Sequence, residues 1–245
     1  DMTFGYTDET VLENVNLRIS PGEFVAIIGE SGIGKTTLIR IIMSFMSNIR
    51  GNVTFFNEKG DLERANAATR KFISYVPQGN TLFSGTVREN IRMGKLDATE
   101  EEMKAVLKKV NLLGFLQIQD GLQTKLLEKA SNLSGGQCQR LVIARALLYD
   151  AAVYIFDEAA SNIDVESEEL IMDVIHELAK NKTVLLISHR LANVVKSDQI
   201  YFLKNGEIQE HGKHEELMQK DGEYHHLYES QMALENYGRQ VNRDV

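Results

Sequence analysis

Apolar residues along this chain come in two textures, short unbroken runs and longer stretches spaced at three and four. The run Phe24-Val25-Ala26-Ile27-Ile28 follows a Ser20-Pro21-Gly22 turn and reads as a buried strand beginning near Gly22. A glycine-rich loop comes next, and residues 36–45 continue with helical apolar spacing. Shorter strands are predicted over residues 53–56 and 73–76. Buried ones are predicted at Val153-Tyr154-Ile155-Phe156 and Thr183–Ile187, separated by a helix over Val165–Ala179. A strand pattern also begins almost at Asp1, and both prolines, Pro21 and Pro77, fall at the edge of an element. Such alternation through short connections implies an α/β fold, a mainly parallel sheet flanked by helices.

From residue 79 to about 133 the texture changes. Thr99-Glu100-Glu101-Glu102 has the form of a capping box, and Met103, Val106, Leu107 and Val110 make a helical stripe behind it. Almost no strand signal occurs there. The expected organisation is therefore a core of residues 1–78 and about 150–245, with a helical subdomain over about 79–149. No internal repeat or low-complexity linker interrupts it.

Length and charge narrow the function. A chain of 245 residues can bury a substantial core, and its 43% hydrophobic and 25% charged residues are ordinary for a globular protein. With 27 basic and 35 acidic residues the formal charge is −8, which disfavours a non-specific nucleic-acid binder. The single Cys138 cannot form an internal disulfide, which fits a reducing, cytosolic compartment. No apolar run approaches the roughly 20 residues that span a bilayer, and no signal peptide is visible. A strand pattern so close to Asp1 suggests an excised piece of a longer polypeptide.

The loop Gly29-Glu30-Ser31-Gly32-Ile33-Gly34-Lys35-Thr36 carries the first chemistry. It fits the pattern G-x-x-x-x-G-K-[ST] between a strand and a helix. Its glycines let backbone N–H groups converge on phosphate oxygens, and the helix start adds partial positive charge. Lys35 supplies a point charge for terminal phosphates, and the Thr36 hydroxyl can hold Mg²⁺. The bare pattern arises by chance in on the order of one per cent of chains this long, and the strand–loop–helix setting lowers that further.

A triphosphate site also needs an acidic partner. The strand Val153-Tyr154-Ile155-Phe156 ends in Asp157-Glu158, at the strand end where α/β ligand sites sit. Asp157 is expected to hold Mg²⁺ through its water shell, and Glu158 to polarise an attacking water as general base. His189 ends a second buried strand and is expected to hydrogen-bond the terminal phosphate. Gln78, just after the strand over 73–76, can bind Mg²⁺ or water through its amide. Leu133-Ser134-Gly135-Gly136-Gln137 opens a further helix, a second anion-binding N-terminus. One phosphate chain cannot easily need both helix starts within one subunit, so two subunits sharing two nucleotides is the economical inference.

In these motifs the sequence resembles the nucleotide-binding domain of an ATP-binding cassette (ABC) transporter, over essentially its whole length. The Walker A loop, Gln78 loop, Leu-Ser-Gly-Gly-Gln signature, Walker B strand, Asp164 loop and His189 switch appear in the family's order. The resemblance implies a P-loop NTPase core with a mainly parallel sheet, a small antiparallel β-subdomain and an inserted helical subdomain. It implies ATP and Mg²⁺ as cofactors, with Lys35, Gln78, Glu158 and His189 catalytic. Thr36, Gln78 and Asp157 are the expected metal set. Nucleotide contacts are expected from Tyr6, stacking on adenine, and from Gly29, Ser31, Gly32, Gly34, Lys35, Thr36 and Thr37. Ser134, Gly136 and Gln137 are expected to complete the site on a second, head-to-tail nucleotide-binding domain. Asp164 would communicate between the two sites.

Leu82-Phe83-Ser84-Gly85-Thr86-Val87-Arg88-Glu89-Asn90-Ile91 and the stretch from Gly206 to Tyr228 are similar to exporter patterns. A membrane domain upstream in the same polypeptide, and a place on the cytoplasmic face of the membrane, follow from that resemblance. Departures exist: Ala160 stands where the family usually has Thr, and Asn162-Ile163 replaces a common Ala-Leu pair. Leu127 and Ala130 stand where the exporter loop normally carries glycines. An importer ATPase, or a soluble ABC-type ATPase acting on nucleic acid or the ribosome, is the alternative. Against the latter stand one phosphate loop, an acidic charge and only about 120 residues between Lys35 and Asp157.

Overall fold

The computed structural model describes residues 1–245 except 7–8, 48–49, 57–58, 61, 162 and 242–245, and for 235–241 the backbone alone. The departure at Asn162 thus lies outside the described residues. Contacts gather the chain into two compact units, Asp1–Ala65 with Leu186–Val245, and Asn66–Leu185. The first unit opens with β1 (Met2–Tyr6), β2 (Glu9–Val15), β3 (Phe24–Ile28), α1 (Lys35–Ile42), β4 (Thr54–Phe56) and β5 (Leu62–Arg64). Then come β6 (Ile73–Val76), β7 (Gly85–Thr86), α2 (Val87–Arg92), α3 (Glu100–Lys109), α4 (Leu113–Gln117) and β8 (Lys125–Leu126). The second unit continues with α5 (Gly135–Tyr149), β9 (Val153–Asp157) and α6 (Val165–Ala179), and β10 (Thr183–Ile187) follows. The chain ends with β11 (Gln199–Lys204), β12 (Glu207–Gly212), α7 (His214–Gln219) and α8 (Glu223–Val241).

In the first unit all five residues of β3 are buried, as an unbroken apolar run requires of a strand covered on both faces. It pairs in parallel with β11, in register from Gln199↔Val25 to Phe202↔Ile28. Asn205 and Gly206, with φ of 51° and 79°, then turn β11 back into antiparallel β12. Asn-Gly is the dipeptide such a tight hairpin favours, because both positions need positive φ. The small pairs β1–β2 and β4–β5 are antiparallel. The sheet in this unit is thus mixed, parallel at β3–β11 and antiparallel at β11–β12, in line with the α/β expectation.

Helix α1 stops three residues before the apolar spacing suggests. Ser44 has a φ of 55°, Phe45 N–H donates to the Arg40 carbonyl (2.8 Å), and Ser44 N–H donates to that of Ile41 (2.9 Å). These two bonds make a Schellman cap. A serine rather than a glycine at its left-handed position hides it from the sequence. At the other end of the unit Glu210 Oε1 accepts the first N–H groups of α8, from Glu223 (2.6 Å) and Tyr224 (3.3 Å). Tyr224 is fully buried, and its hydroxyl meets His214 Nδ1 at 2.7 Å.

In the second unit β6 and β9 run parallel, from Ile73↔Val153 to Val76↔Phe156, and β10 is the next strand beside β9. Helices α2 and α3 pack on α5, burying Ile91, Met103, Leu107, Leu141 and Ile143. Capping boxes at Thr86–Glu89 and Thr99–Glu102 fix the starts of α2 and α3. The pair β7–β8 occupies a stretch with almost no strand signal, being two residues per strand and too short for alternation to register. Asn132 shapes the loop after β8, accepting from Leu127 N–H (2.9 Å) and donating to the Lys125 carbonyl (3.0 Å). Lys129 and buried Ala130 have left-handed backbones there, whereas Leu127 is extended. Of the two positions where glycine is usual, only Ala130 therefore uses a glycine-like conformation.

Among the described residues no helix is long and apolar enough to cross a membrane. Thr99→Ala deletes the hydroxyl that accepts the Glu102 N–H (3.2 Å) at the start of α3. It is expected to lower stability by about 1 kcal/mol, read as a lower urea midpoint at unchanged slope. An unchanged midpoint would contradict the cap.

Candidate functional site

The phosphate loop lies between the end of β3 and the start of α1. Gly34 is the N-cap of α1 with a φ of 107°, a region closed to most side chains. A Cβ on Gly29 would stand 2.3 Å from the Leu203 carbonyl oxygen, so β11 can pass only where that side chain is missing. The Lys35 side chain curls back over this loop. It is 5% exposed, and its Nζ donates to the carbonyls of Gly29 (2.8 Å) and Glu30 (2.7 Å). These carbonyl acceptors help to solvate the buried ammonium. The first turn of α1 holds no acidic residue, and Thr36 and Thr37 sit half-buried in it. Ser31 and Gly32 are exposed on the loop crest.

Tyr6 and His189 belong to the same unit. Tyr6 is 44% exposed, lies edge-on to Phe4 at 5.0 Å between ring centroids, and reaches Met46 Sδ with its hydroxyl at 3.5 Å. It is a surface ring, not a core tyrosine. His189 is exposed two residues beyond β10. The neighbouring Ser188 is buried, donates its N–H to the Ile27 carbonyl (3.4 Å) and accepts the Arg190 N–H at its hydroxyl (3.0 Å).

The remaining candidates lie in the second unit, in two groups. At the end of β9 Asp157 is 1% exposed, one residue further into the strand than the sequence pattern suggests. Tyr75 of β6 donates its hydroxyl to Asp157 Oδ2 at 3.1 Å. Sequence reading misses Tyr75, because it looks like any strand aromatic until the β6–β9 register brings it there. Glu158 follows with a φ of 51°, a left-handed position that costs a non-glycine residue about 1–2 kcal/mol. Gln78 Nε2 donates to Glu158 Oε2 at 2.6 Å. Ser161 holds the Glu158 carbonyl through both its N–H (3.0 Å) and its hydroxyl (2.8 Å).

The second group is the start of α5. Ser134 Oγ accepts the Gln137 N–H (3.2 Å) while Gln137 Oε1 accepts that of Ser134 (2.9 Å), a complete capping box. Gly135 and Gly136 occupy the first turn, where N–H groups have no intrahelical partner. Asp164 caps α6 by accepting the Ser167 N–H at 2.8 Å. Hydrogen bonds from the Ser167 N–H and hydroxyl hold its carboxyl below the usual carboxylate range. Gly136 lies directly against this cap, since a Cβ there would stand 2.1 Å from Ser167 Oγ and 3.2 Å from Asp164 Oδ2.

Among the described residues no group of three or more His, Cys, Asp or Glu could hold a metal ion. The hydroxyl of Thr36, the amide oxygen of Gln78 and the buried carboxylate of Asp157 are hard oxygen donors. Such donors suit Mg²⁺, which takes one or two protein ligands and fills its shell with phosphate and water oxygens.

A family model described as ABC transporter matches residues 12–161, more than half of the chain. An uncharacterized ABC transporter ATP-binding protein of Haemophilus influenzae is 43% identical over 243 residues, covering 99% of this chain and 43% of that protein. An ATP-dependent lipid A-core flippase of Desulfotalea psychrophila is 40% identical over 233 residues, covering 94% of this chain and 40% of that protein. Among solved structures, a bacterial Atm1-family ABC exporter with ATP bound superposes with a TM-score of 0.84 at 30% identity. The match covers 94% of this chain and 40% of that one. The chain thus spans about two fifths of the length of the relatives it matches.

Gly136→Ala drives a methyl group into Ser167 and is expected to destabilise the protein by about 1–3 kcal/mol. Adding Ser167→Gly should recover part of the melting temperature. A single variant that melts like the wild type would contradict the close approach.

Proposed function

This chain belongs to the ABC transporter family, and we propose that it is the ATP-binding and ATP-hydrolysing domain of an exporter. Lys35 and the N–H groups at the start of α1 grip the terminal phosphates, while Tyr6 offers its exposed face to adenine. The Glu158 carboxylate polarises the attacking water, and the Gln78 amide holds that carboxylate in one orientation. His189 donates a hydrogen bond to the γ-phosphate. Thr36, Gln78 and Asp157 would hold Mg²⁺, which would supply positive charge to the phosphate oxygens.

The single observation carrying this reading is the 2.6 Å hydrogen bond from Gln78 to Glu158. It holds a carboxylate in place beside the buried Asp157, at the end of an apolar strand. A solvated acid at a strand end needs neither the amide partner nor a left-handed backbone. The capped start of α5, with Ser134 and Gly136, completes the site of a second nucleotide-binding domain arranged head to tail. Closing that dimer on ATP and reopening it after hydrolysis would drive a membrane domain of the same transporter. The domain works on the cytoplasmic face of the membrane.

Glu158→Gln keeps the shape and removes the base. It is expected to lower turnover by at least about 100-fold while leaving ATP affinity within about twofold. Unchanged turnover would remove Glu158 from the mechanism. Lys35→Ala and Ser134→Ala chains should each be nearly inactive alone, yet recover ATP hydrolysis when mixed. One site of the mixed dimer then keeps both residues. No recovery, with both variants folded by circular dichroism, would overturn the shared site.

A further inference from the structure

The stretch from His189 to Leu191 lies between β10 and a short 3-10 turn at Leu191–Asn193. Backbone groups in such a link have no strand or helix ladder to bond to. One side chain from α8 bonds to two of these groups. Gln231 Nε2 donates to the His189 carbonyl at 2.7 Å, and Gln231 Oε1 accepts the Leu191 N–H at 3.0 Å. A carboxamide can do both, since it carries a donor and an acceptor side by side. Exposed His189 therefore has its own main chain clamped on one side by a residue 42 positions later.

The clamp has a rigid base. Tyr224 is seven residues before Gln231, two helical turns away, and thus on nearly the same face of α8 about 10 Å along the axis. It is fully buried against His214, and Glu210 caps the helix start beside it. Lys204 adds an ion pair to Glu223. Helix α8 is thereby pinned in register from its first turn, which fixes where the Gln231 amide falls.

We propose that Gln231 is a positioning residue for His189: its carboxamide holds the His189 main chain, and through it the imidazole, in the orientation that faces the γ-phosphate. This assignment rests on the reading of His189 given above. It makes α8 part of the hydrolytic apparatus, although no residue of that helix needs to touch nucleotide.

The test is a double-mutant cycle in the 245-residue chain, with Gln231→Leu, His189→Ala and the pair. Gln231→Leu removes both hydrogen bonds at similar volume. It is expected to lower kcat for MgATP about tenfold with KM within about twofold. In the His189→Ala background it should add less than about twofold, because the side chain it orients is gone. Gln231→Glu keeps the acceptor for the Leu191 N–H and should fall between wild type and Gln231→Leu, which decides the matter if the leucine variant folds poorly. Amide hydrogen exchange at Leu191 should speed up in Gln231→Leu, whatever the ATPase rate. Wild-type kcat in Gln231→Leu, or full additivity with an impaired His189→Ala, overturns the proposal and leaves the ATPase reading standing. Wild-type turnover in His189→Ala instead removes the role of His189 itself, and the positioning role with it.

Discussion

Removing a charged group from water costs several kcal/mol unless the protein supplies compensating dipoles or an opposite charge. Each unit of this chain meets that constraint at the end of a buried strand. Beyond β3 the Lys35 ammonium is folded back on the Gly29 and Glu30 carbonyls. At the end of β9 the Asp157 carboxylate receives the Tyr75 hydroxyl. In both places neutral dipoles are among the partners. The rest of each unit, from apolar strands to flanking helices, holds these ends in place.

The same division between stability and chemistry runs through the helix starts. The boxes at Thr86 and Thr99 open α2 and α3 and need no further explanation than helix formation. The box at Ser134 has the same hydrogen bonds. What distinguishes it is its setting. Two glycines follow, and one of them is pressed against the Asp164–Ser167 cap of α6. The tight contact joins the start of α5 to that of α6. Left-handed Glu158 is held by Gln78 and Ser161, where its carboxylate has a proposed task.

Much of this was legible in the sequence because it depends on local chemistry. Unbroken apolar runs marked β3, β6, β9 and β10 within a residue or two, and helix α6 was read to its ends. The phosphate loop and the Ser134 motif carry their glycines, hydroxyls and lysine in fixed spacing within a few residues. The short pair β7–β8 was not legible, having too few residues for a period. Nor was the end of α1, where serine takes the left-handed place that usually goes to glycine.

Sequence by itself determined the α/β alternation, the capping box at Thr99 and the identity of the chemical groups, because these follow from contacts within a few residues. Tertiary structure alone decided which groups meet. Tyr75 reaches Asp157 through strand register, Gln78 reaches Glu158 across 80 residues, and Gln231 reaches the His189 main chain from a helix 42 residues away. A hydrogen bond across such separations depends on how whole elements pack, and no local pattern encodes it.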